Sequence, residues 1–241
     1  MSFTPVHDIA SAMSYSIRLS KENFKFSAAH FTIFGLGEGE RLHGHNYYVG
    51  AEITLEKLQT DIGMAFDFNL IKPALARICK ELDEYVLIAG ASTYLTLHQL
   101  TADLSPALNQ DLVANRRESP SADAQANADA GASSGSMPKA QPGEPTSLEI
   151  RFGKKRYRLP LEDVKVLPVC NITSEELAAW IGQNFLRALQ SLIPNVVIDE
   201  LALSVEETRG QCVIWRAPLE SLKTGRKSDF NVLEFEGRSV K

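Results

Sequence analysis

The sequence predicts an α+β fold in which two helices lie on one face of an antiparallel sheet. Alternating apolar and polar residues, typical of half-buried strands, occur near both ends of the chain. Between them, two segments carry apolar residues at helical spacing, beginning near residues 69 and 174. Hairpins that flank amphipathic helices favour a single sheet whose apolar face is covered by the helices.

The composition is that of a globular protein with a substantial core. The chain has 241 residues, 44% of them hydrophobic, which fits one large domain or two small ones. A net charge of −5 gives no basic field for nucleic acid. The cysteines, Cys79, Cys170 and Cys212, form no spacing motif, and no apolar run reaches membrane-spanning length. Residues 1–14 show no secretory signal, so we expect a cytoplasmic protein without nucleic-acid or membrane partners.

The first predicted hairpin brings three of the five histidines together. One strand ends near His30, a glycine-rich loop follows at 35–39, and a second strand runs on to about residue 55. His43 and His45 open this second strand, and a spacing of two places both imidazoles on one face of it. His30 would then lie on the neighbouring strand, near the same loop.

Three imidazoles in this arrangement predict a metal site. Two nitrogens from one strand and one from its neighbour would give Zn²⁺ three ligands and leave a fourth position open for water or substrate. Glu40, three residues before His43, adds a carboxylate at the same end of the hairpin. The alternative is a set of unrelated polar residues on a solvated hairpin, because an H-x-H pair alone is weak evidence.

Both helices carry recognisable start signals. The first, which covers about residues 69–82, can be capped by Asp67 or by Asn69. The second begins after Thr173, which together with Glu176 fits a capping box. A proline ends the apolar stripe of the second helix.

We interpret the chain as one domain interrupted by an insertion. Residues 1–106 form its N-terminal half and residues 148–241 its C-terminal half. The intervening residues 107–147 are mostly small and polar with few apolar anchors, which predicts a disordered surface insertion. The C-terminal half opens with a hairpin around Gly153, whose basic residues we assign to a solvated face in preference to a phosphate site. It closes with a hairpin around Gly210.

Several short stretches, taken together and in this order, resemble the 6-pyruvoyl-tetrahydropterin synthase and 6-carboxytetrahydropterin synthase family. The resemblance covers roughly residues 15–90 and 160–217 and leaves the insertion outside the family core. Only the His-Gly-His element is specific when taken singly. The stretches are Phe26–His30, Leu42–Tyr47, Gly63–Phe68, Leu82–Asp83, Asn171–Glu175 and Glu207–Thr208.

The resemblance implies a tunnelling fold. Such proteins have a four-stranded antiparallel sheet with two helices, and the sheets of several subunits join into a barrel. Two trimers then usually stack into a homohexamer whose active sites lie at subunit interfaces. The resemblance also implies a pterin triphosphate as the substrate.

The resemblance further implies roles for individual residues. Glu207 would anchor the pterin ring, because a carboxylate suits the ring's planar edge of amino and NH donors. Residues around Thr173 and Ser174 would supply backbone contacts to the same ring, and Thr173 also fits a helix cap. The implied ligands of Zn²⁺ are His30, His43 and His45.

The catalytic residues depart from the family pattern. The synthases carry a catalytic cysteine a few residues before His-Gly-His, and Gly39 stands where it would fall. After the first helix, Asp83 matches the family's aspartate, but Glu84 replaces its histidine. Glu40 gives a Glu-x-x-His-Gly-His arrangement that resembles a cysteine-less branch. That branch is associated with cleaving 7,8-dihydroneopterin triphosphate to 6-hydroxymethyl-7,8-dihydropterin for folate synthesis. The implied catalytic residues are Glu40, Asp83 and Glu84, with a carboxylate near the metal as base.

Two other functions fit the same residues. In a synthase that makes 6-carboxytetrahydropterin or 6-pyruvoyl-tetrahydropterin, the missing proton shuttles would be replaced by Glu40, Glu84 or His98. A degenerate member would bind a pterin or a related purine without turnover, and the missing cysteine and histidine support this alternative. Arg41 and Lys25 are candidate phosphate contacts because they are close to the site in sequence.

Overall fold

The computed structural model describes residues 14–58, 62–101 and 145–219. These residues fall into two compact units, of which unit 2 covers the described residues between Thr96 and Val164 and unit 1 covers the rest. The predicted division of the chain at residues 106 and 148 stays a prediction. Within the described residues, no helix is long and apolar enough to cross a membrane.

The elements are numbered along the chain. The helices are α1 (Phe68–Lys80) and α2 (Ser174–Leu192). The strands of the first half are β1 (Tyr15–Leu19), β2 (Lys25–His30), β3 (Ile33–Gly35), β4 (Glu38–Gly39), β5 (His43–Leu55), β6 (Tyr85–Ala89) and β7 (Thr96–Thr101). The remaining strands are β8 (Pro145–Phe152), β9 (Lys155–Pro160), β10 (Val164–Leu167), β11 (Glu200–Thr208) and β12 (Gln211–Pro218).

The large sheet of unit 1 has seven strands, in the order β10-β6-β2-β5-β11-β12, with β1 also paired to β5. The pairs that β5 makes with β1, β2 and β11 are antiparallel, whereas β2 and β6 are parallel. The prediction of a four-stranded, wholly antiparallel sheet is therefore corrected to a larger, mixed sheet. Strand β6 was not predicted because a strand buried on both faces is continuously apolar and shows no alternation of apolar and polar residues.

The long strand β5 shows why only one face of the sheet forms the core. Its alternate residues are buried, and those between them are more exposed. Helix α2 packs on β11 and β12, α1 packs on β2, and the two helices contact each other over this apolar face. The predicted α+β arrangement of two helices and a sheet is confirmed. The buried residues of β5 are Tyr47, Val49, Ala51, Ile53 and Leu55.

The helix starts follow the predicted caps. The Asp67 side chain accepts a hydrogen bond from the Asn69 N–H at 2.8 Å, so Asp67 is the cap of α1. The Thr173 hydroxyl accepts a hydrogen bond from the Glu176 N–H at 3.4 Å and caps α2. Both caps satisfy N–H groups that have no partner within the helix.

Helix α1 ends at Lys80, two residues before the predicted end. A turn over residues 81–84 leads directly into β6, so the chain leaves the helix earlier than the apolar stripe suggests. Cys79 is buried in the last turn, and this burial raises the pKa of its thiol to about 12. Cys79 therefore packs as a small apolar side chain.

Unit 2 contains an antiparallel sheet in the order β7-β8-β9. The predicted hairpin around Gly153 is confirmed as β8 and β9, with Gly153 at a φ of 57°. Residues 145–147, which the prediction placed in the insertion, belong to β8, where Ser147 is buried opposite Leu100. The rest of the predicted insertion, residues 107–144, lies outside the described residues.

Candidate metal and substrate site

The three predicted ligands lie side by side on β2 and β5. Antiparallel pairing puts His30 opposite His43, and His45 follows two residues further along β5. One nitrogen from each ring lies within 4.8 Å of one nitrogen of each of the other two. His30 is buried, whereas His43 and His45 are partly exposed. The structure therefore brings together the three histidines that the sequence pattern singled out.

Hydrogen bonds fix which nitrogen of two of these rings is free to bind a metal. His30 Nδ1 lies 2.9 Å from the Ile172 carbonyl oxygen, and His43 Nδ1 lies 2.8 Å from the Arg41 carbonyl oxygen. Because a carbonyl only accepts, each Nδ1 must carry the proton and donate it. Each Nε2 is then left with a lone pair, and burial lowers the pKa of His30, which favours the neutral form that binds metals.

The ring spacings fit a shared metal ion. Nitrogen ligands about 2.0–2.1 Å from a tetrahedral Zn²⁺ place the centres of the imidazole rings about 5 Å apart. The observed centroid distances are 4.7 Å for His30 and His43, 4.8 Å for His43 and His45, and 5.4 Å for His30 and His45. Three imidazole nitrogens at these spacings form a site that suits Zn²⁺.

Glu207 on β11 reaches into the same site. Its Oε2 accepts a hydrogen bond from the Ser174 hydroxyl at 2.8 Å, and its Oε1 accepts one from the Tyr47 hydroxyl at 3.1 Å. Its Oε1 also lies 3.2 Å from His30 Nε2 and 3.3 Å from His45 Nε2. The two predicted substrate residues Glu207 and Ser174 are thus in contact, and Ser174 acts on Glu207 through its side chain.

Glu40 lies at the edge of the histidine cluster. Its Oε2 is 3.8 Å from His43 Nε2 and accepts a hydrogen bond from the Thr32 N–H at 3.1 Å. Burial alone would raise the pKa of Glu40, but the hydrogen bonds from Thr32, together with the nearby imidazoles of His43 and His30, outweigh it. The pKa therefore lies below the usual 4.5, and Glu40 is an ionised carboxylate beside the metal site.

The segment before α2 links the separate parts of the site. The Asn171 side chain donates to the Ile33 carbonyl at 2.8 Å and accepts from the Ile33 N–H at 3.0 Å, which ties the segment to β3. Ile172 accepts from His30, and Ser174 donates to Glu207. This role of Asn171 is not visible in the sequence, because nothing there shows which backbone groups its side chain contacts.

A groove of about 690 Å³ opens beside the histidines. Asp83 does not face it as a free carboxylate, because its Oδ1 accepts a hydrogen bond from the Ser27 N–H at 2.8 Å. The Glu84 N–H donates to the Ser27 carbonyl at 2.7 Å, and Glu84 adopts a φ of 66°. No lysine or arginine lines the groove within the described residues. The lining residues include Ser27, His45, Asn46, Tyr48, Glu84 and Glu207.

The remaining candidate residues are Arg41, Lys25 and His98. The Arg41 carbonyl accepts from His43, and Lys25 is exposed on β2 opposite Tyr48. His98 is exposed on β7 in unit 2, where it pairs with Glu149.

The fold and this site define a protein of the α+β class with a three-histidine site suited to a metal and a groove beside it. The profile of the 6-pyruvoyl tetrahydropterin synthase family matches residues 18–218, which is most of the chain. The chain belongs to this family. Membership supports a pterin-synthase-like function of the lyase class.

Known proteins of this kind resemble the chain over most of its length. A putative 6-carboxy-5,6,7,8-tetrahydropterin synthase of Methanocaldococcus jannaschii is 25% identical over 197 residues, covering 81% of this chain and 91% of its own. The 6-pyruvoyl tetrahydropterin synthase of Plasmodium vivax has a similar structure, with a TM-score of 0.63 at 18% identity, covering 86% of this chain and 99% of its own. The Plasmodium falciparum enzyme has a TM-score of 0.63 at 20% identity, with coverages of 85% and 98%. The two Plasmodium structures show that the fold is shared.

Proposed function

We propose that this protein is a zinc-dependent pterin lyase that acts on 7,8-dihydroneopterin triphosphate. It cleaves a C–C bond of the side chain and releases 6-hydroxymethyl-7,8-dihydropterin. The observation that carries the proposal is the ionised Glu40 carboxylate, 3.8 Å from His43 Nε2, in a chain that has glycine where the synthases have their cysteine. A carboxylate is a weaker base toward carbon than a thiolate, which favours cleavage over tautomerisation of the side chain.

The histidines and Glu207 have separate tasks in this proposal. His30, His43 and His45 would hold Zn²⁺, which would supply Lewis acidity that lowers the pKa of the substrate's side-chain hydroxyls. Glu207 accepts hydrogen bonds from the amino and NH groups of the pterin ring and so fixes its orientation. Ser174 holds the Glu207 carboxylate at 2.8 Å, and Thr173 holds the start of α2.

Glu40 acts as the base that starts the cleavage. It takes the proton of the side-chain hydroxyl on the second carbon from the ring, and that C–O becomes a carbonyl. The bond between the first and second side-chain carbons breaks, and its electron pair moves into the conjugated dihydropterin ring. A proton then returns to the first carbon. The products are 6-hydroxymethyl-7,8-dihydropterin and an aldehyde that keeps the triphosphate, so atoms and electrons balance.

The carboxylates after α1 complete the proposed catalytic set. Asp83 holds the backbone of Ser27 at 2.8 Å and so fixes the turn that carries Glu84. Glu84 lines the groove, and its carboxylate would carry the returning proton. A relative supports a catalytic glutamate: two structures of the Plasmodium vivax enzyme are variants in which a glutamate described as its catalytic residue is replaced by alanine or by cysteine.

A second candidate is a synthase acting on the same substrate. The Methanocaldococcus jannaschii relative, named as a putative 6-carboxy-5,6,7,8-tetrahydropterin synthase, favours it. In that case Glu40 and Glu84 would shuttle protons during tautomerisation. A pterin or purine binder without turnover remains the third alternative, because it would need the same histidines and Glu207.

We also propose a cytoplasmic homohexamer formed by two trimers, with subunit sheets joined into a barrel. The groove of one chain has no cation among its described lining residues, although the proposed substrate carries a triphosphate. A neighbouring subunit would supply the missing charge. Light scattering during size-exclusion chromatography measures the molar mass of the assembly. A stable monomer would contradict the proposed hexamer.

Product identification separates the three functions. The zinc-loaded protein is incubated with 7,8-dihydroneopterin triphosphate, and the pterin formed is identified by mass, with chelator-treated protein as the control. Formation of 6-hydroxymethyl-7,8-dihydropterin that depends on zinc is the expected result. A carboxy or pyruvoyl product would replace the lyase with a synthase. Binding of the substrate without any product would leave only the binder.

A further inference from the structure

Tyr47 lies at the centre of the site, yet no predicted role includes it. Its side chain is completely buried, with 0% exposure, and its ring stacks on Phe26 with the centroids 4.8 Å apart. Its hydroxyl is 3.0 Å from His30 Nε2 and 3.1 Å from Glu207 Oε1. One hydroxyl therefore contacts a predicted metal ligand and the predicted pterin anchor at the same time.

The hydroxyl can serve only one of these two partners as a donor. His30 Nδ1 donates to Ile172, so His30 Nε2 is an acceptor. Glu207 Oε1 is an acceptor as well, and a hydroxyl group has a single proton. Tyr47 and His30 are both buried, so solvent does not replace the hydroxyl at His30, whereas the Glu207 side chain is 26% exposed and can be hydrated when the hydroxyl does not donate to it.

We propose that Tyr47 couples metal binding at the three histidines to the orientation of Glu207, and through it to pterin affinity. The inference rests on the proposed function. Without a metal, His30 Nε2 and Glu207 Oε1 compete for the single Tyr47 proton. A metal that engages the lone pair of His30 Nε2 would remove this competitor, so the Tyr47 hydroxyl would donate to Glu207 Oε1 alone. His45 Nε2, 3.3 Å from the same oxygen, is engaged as well and cannot donate.

Glu207 is then held at both oxygens. Ser174 donates to Oε2 at 2.8 Å, and Tyr47 donates to Oε1. A carboxylate held by two hydroxyls presents its remaining lone pairs to the ring in one orientation, which lowers the entropy lost on binding. Tyr47 is in this sense a positioning residue: it touches neither the reacting atoms nor the pterin, and it acts through Glu207.

The coupling between metal and pterin binding can be expressed as a change in affinity, and it is reciprocal. A hydrogen bond to a charged group corresponds to a change in affinity on the order of tenfold to a hundredfold. Because linkage is symmetric, a pterin must raise the affinity for the metal by the same factor as the metal raises the affinity for the pterin.

The test measures binding instead of turnover. The probe is 6-methylpterin, which offers the ring donors but has no side-chain hydroxyls that a metal could bind. Its affinity for the metal-free and the zinc-loaded protein is measured by fluorescence titration. We expect zinc to tighten binding by about tenfold or more in the wild type. Tyr47→Phe keeps the ring that stacks on Phe26, still binds zinc, and is expected to retain at most about a twofold gain.

Tyr15→Phe is the matched control, because Tyr15 is an exposed tyrosine of β1 outside the site. It is expected to keep the full gain. A full gain in Tyr47→Phe, or no gain in the wild type, would overturn the coupling. Failure of Tyr47→Phe to bind zinc would overturn it too, because the hydroxyl would then serve the metal directly.

A second measurement uses the reciprocity. Zinc affinity of the wild type, obtained by competition with a chromophoric chelator, must increase in the presence of 6-methylpterin by the factor found in the first experiment, and unequal factors would overturn the coupling. If the zinc-loaded wild type binds no 6-methylpterin at all, the proposed pterin function fails together with the inference. Binding that is independent of zinc defeats the inference alone.

Discussion

The three histidines and the two proposed catalytic glutamates, Glu40 and Glu84, are held by different kinds of structure. His30, His43 and His45 lie on β2 and β5, two strands that pair residue by residue. Glu40 lies in the connection between β4 and β5, and Glu84 lies in the turn between α1 and β6. We call the first group the strand ligands and the second group the connection carboxylates.

The difference suggests how one scaffold could serve several reactions. Pairing of β2 with β5 fixes the strand ligands relative to one another, so the three-histidine arrangement persists as long as the sheet does. Connections tolerate substitution because few other residues depend on their conformation. The chain departs from the family pattern at Gly39 and Glu84, and neither position lies in β2 or β5. We therefore expect metal binding and choice of reaction to be separable in this protein.

Removing a strand ligand has the largest expected effect. His43→Ala takes one of three nitrogens from the site. Because loss of a partner that merely supports a ligand already costs about 10–100-fold in metal affinity, loss of the ligand itself costs at least as much. Zinc content after dialysis, measured by mass spectrometry, is expected to fall close to zero, and turnover is expected to disappear with it.

His98→Ala is the control, because His98 is an exposed histidine of unit 2. It is expected to keep full zinc content and activity. Full zinc retention in His43→Ala would reject the assignment of the strand ligands.

The strand ligands were predictable from sequence because their geometry is local. A spacing of two along a strand puts His43 and His45 on one face, and a hairpin with a glycine-rich connection brings in His30. The helix caps at Asp67 and Thr173 were predictable for the same reason, since each involves residues two or three positions apart.

Long-range contacts were not predictable in this way. The hydrogen bond from Tyr47 to Glu207 joins residues 160 positions apart, and those between Asn171 and Ile33 join residues 138 apart. The extra strand β6 was not predicted either, because its pairing with β2 depends on the fold and not on any alternation in its own sequence. The contacts that connect Glu40, His30 and Glu207 can therefore be identified only from the folded structure.

Neutralising a connection carboxylate should stop the reaction and spare the metal. In Glu40→Gln the side chain can still accept from the Thr32 N–H, so the connection keeps its conformation. Loss of a general base costs about 10²–10⁴-fold in kcat. Zinc content and KM are expected to stay unchanged, since Glu40 anchors neither the metal nor the ring. Steady-state kinetics on zinc-loaded protein measure this split.

Glu38→Gln is the control, because Glu38 is exposed on β4, two residues away in the same small hairpin. It removes the same charge without touching His43. Unchanged turnover in Glu40→Gln would remove Glu40 as the base. Loss of zinc in the same variant would move Glu40 into the group of metal ligands and break the distinction between the two groups.

Replacing the second connection carboxylate, Glu84, has the smallest expected effect. The informative result is whether the free energy of unfolding rises or falls. Glu84 adopts a φ of 66°, a left-handed conformation that costs a residue with a side chain about 1–2 kcal/mol. Glycine adopts it freely but loses more chain entropy on folding, by about 0.4–1 kcal/mol. Glu84→Gly is therefore expected to raise the free energy of unfolding by up to about 1 kcal/mol. Urea denaturation of metal-free protein at one fixed protein concentration measures it.

A control variant and the turnover of Glu84→Gly together show whether the strained backbone conformation at Glu84 serves catalysis. Glu81 lies three residues earlier at a φ of −68°, where glycine has no steric advantage, so Glu81→Gly is expected to lower stability by about 0.5–1 kcal/mol. If Glu84 carries a proton in the reaction, Glu84→Gly gains stability and loses turnover together, because the chain has kept a strained conformation in order to hold a carboxylate over the groove. A variant that gains stability at full turnover would show that the strain has no catalytic purpose, and Glu40 would then be the only connection carboxylate left in the proposed reaction.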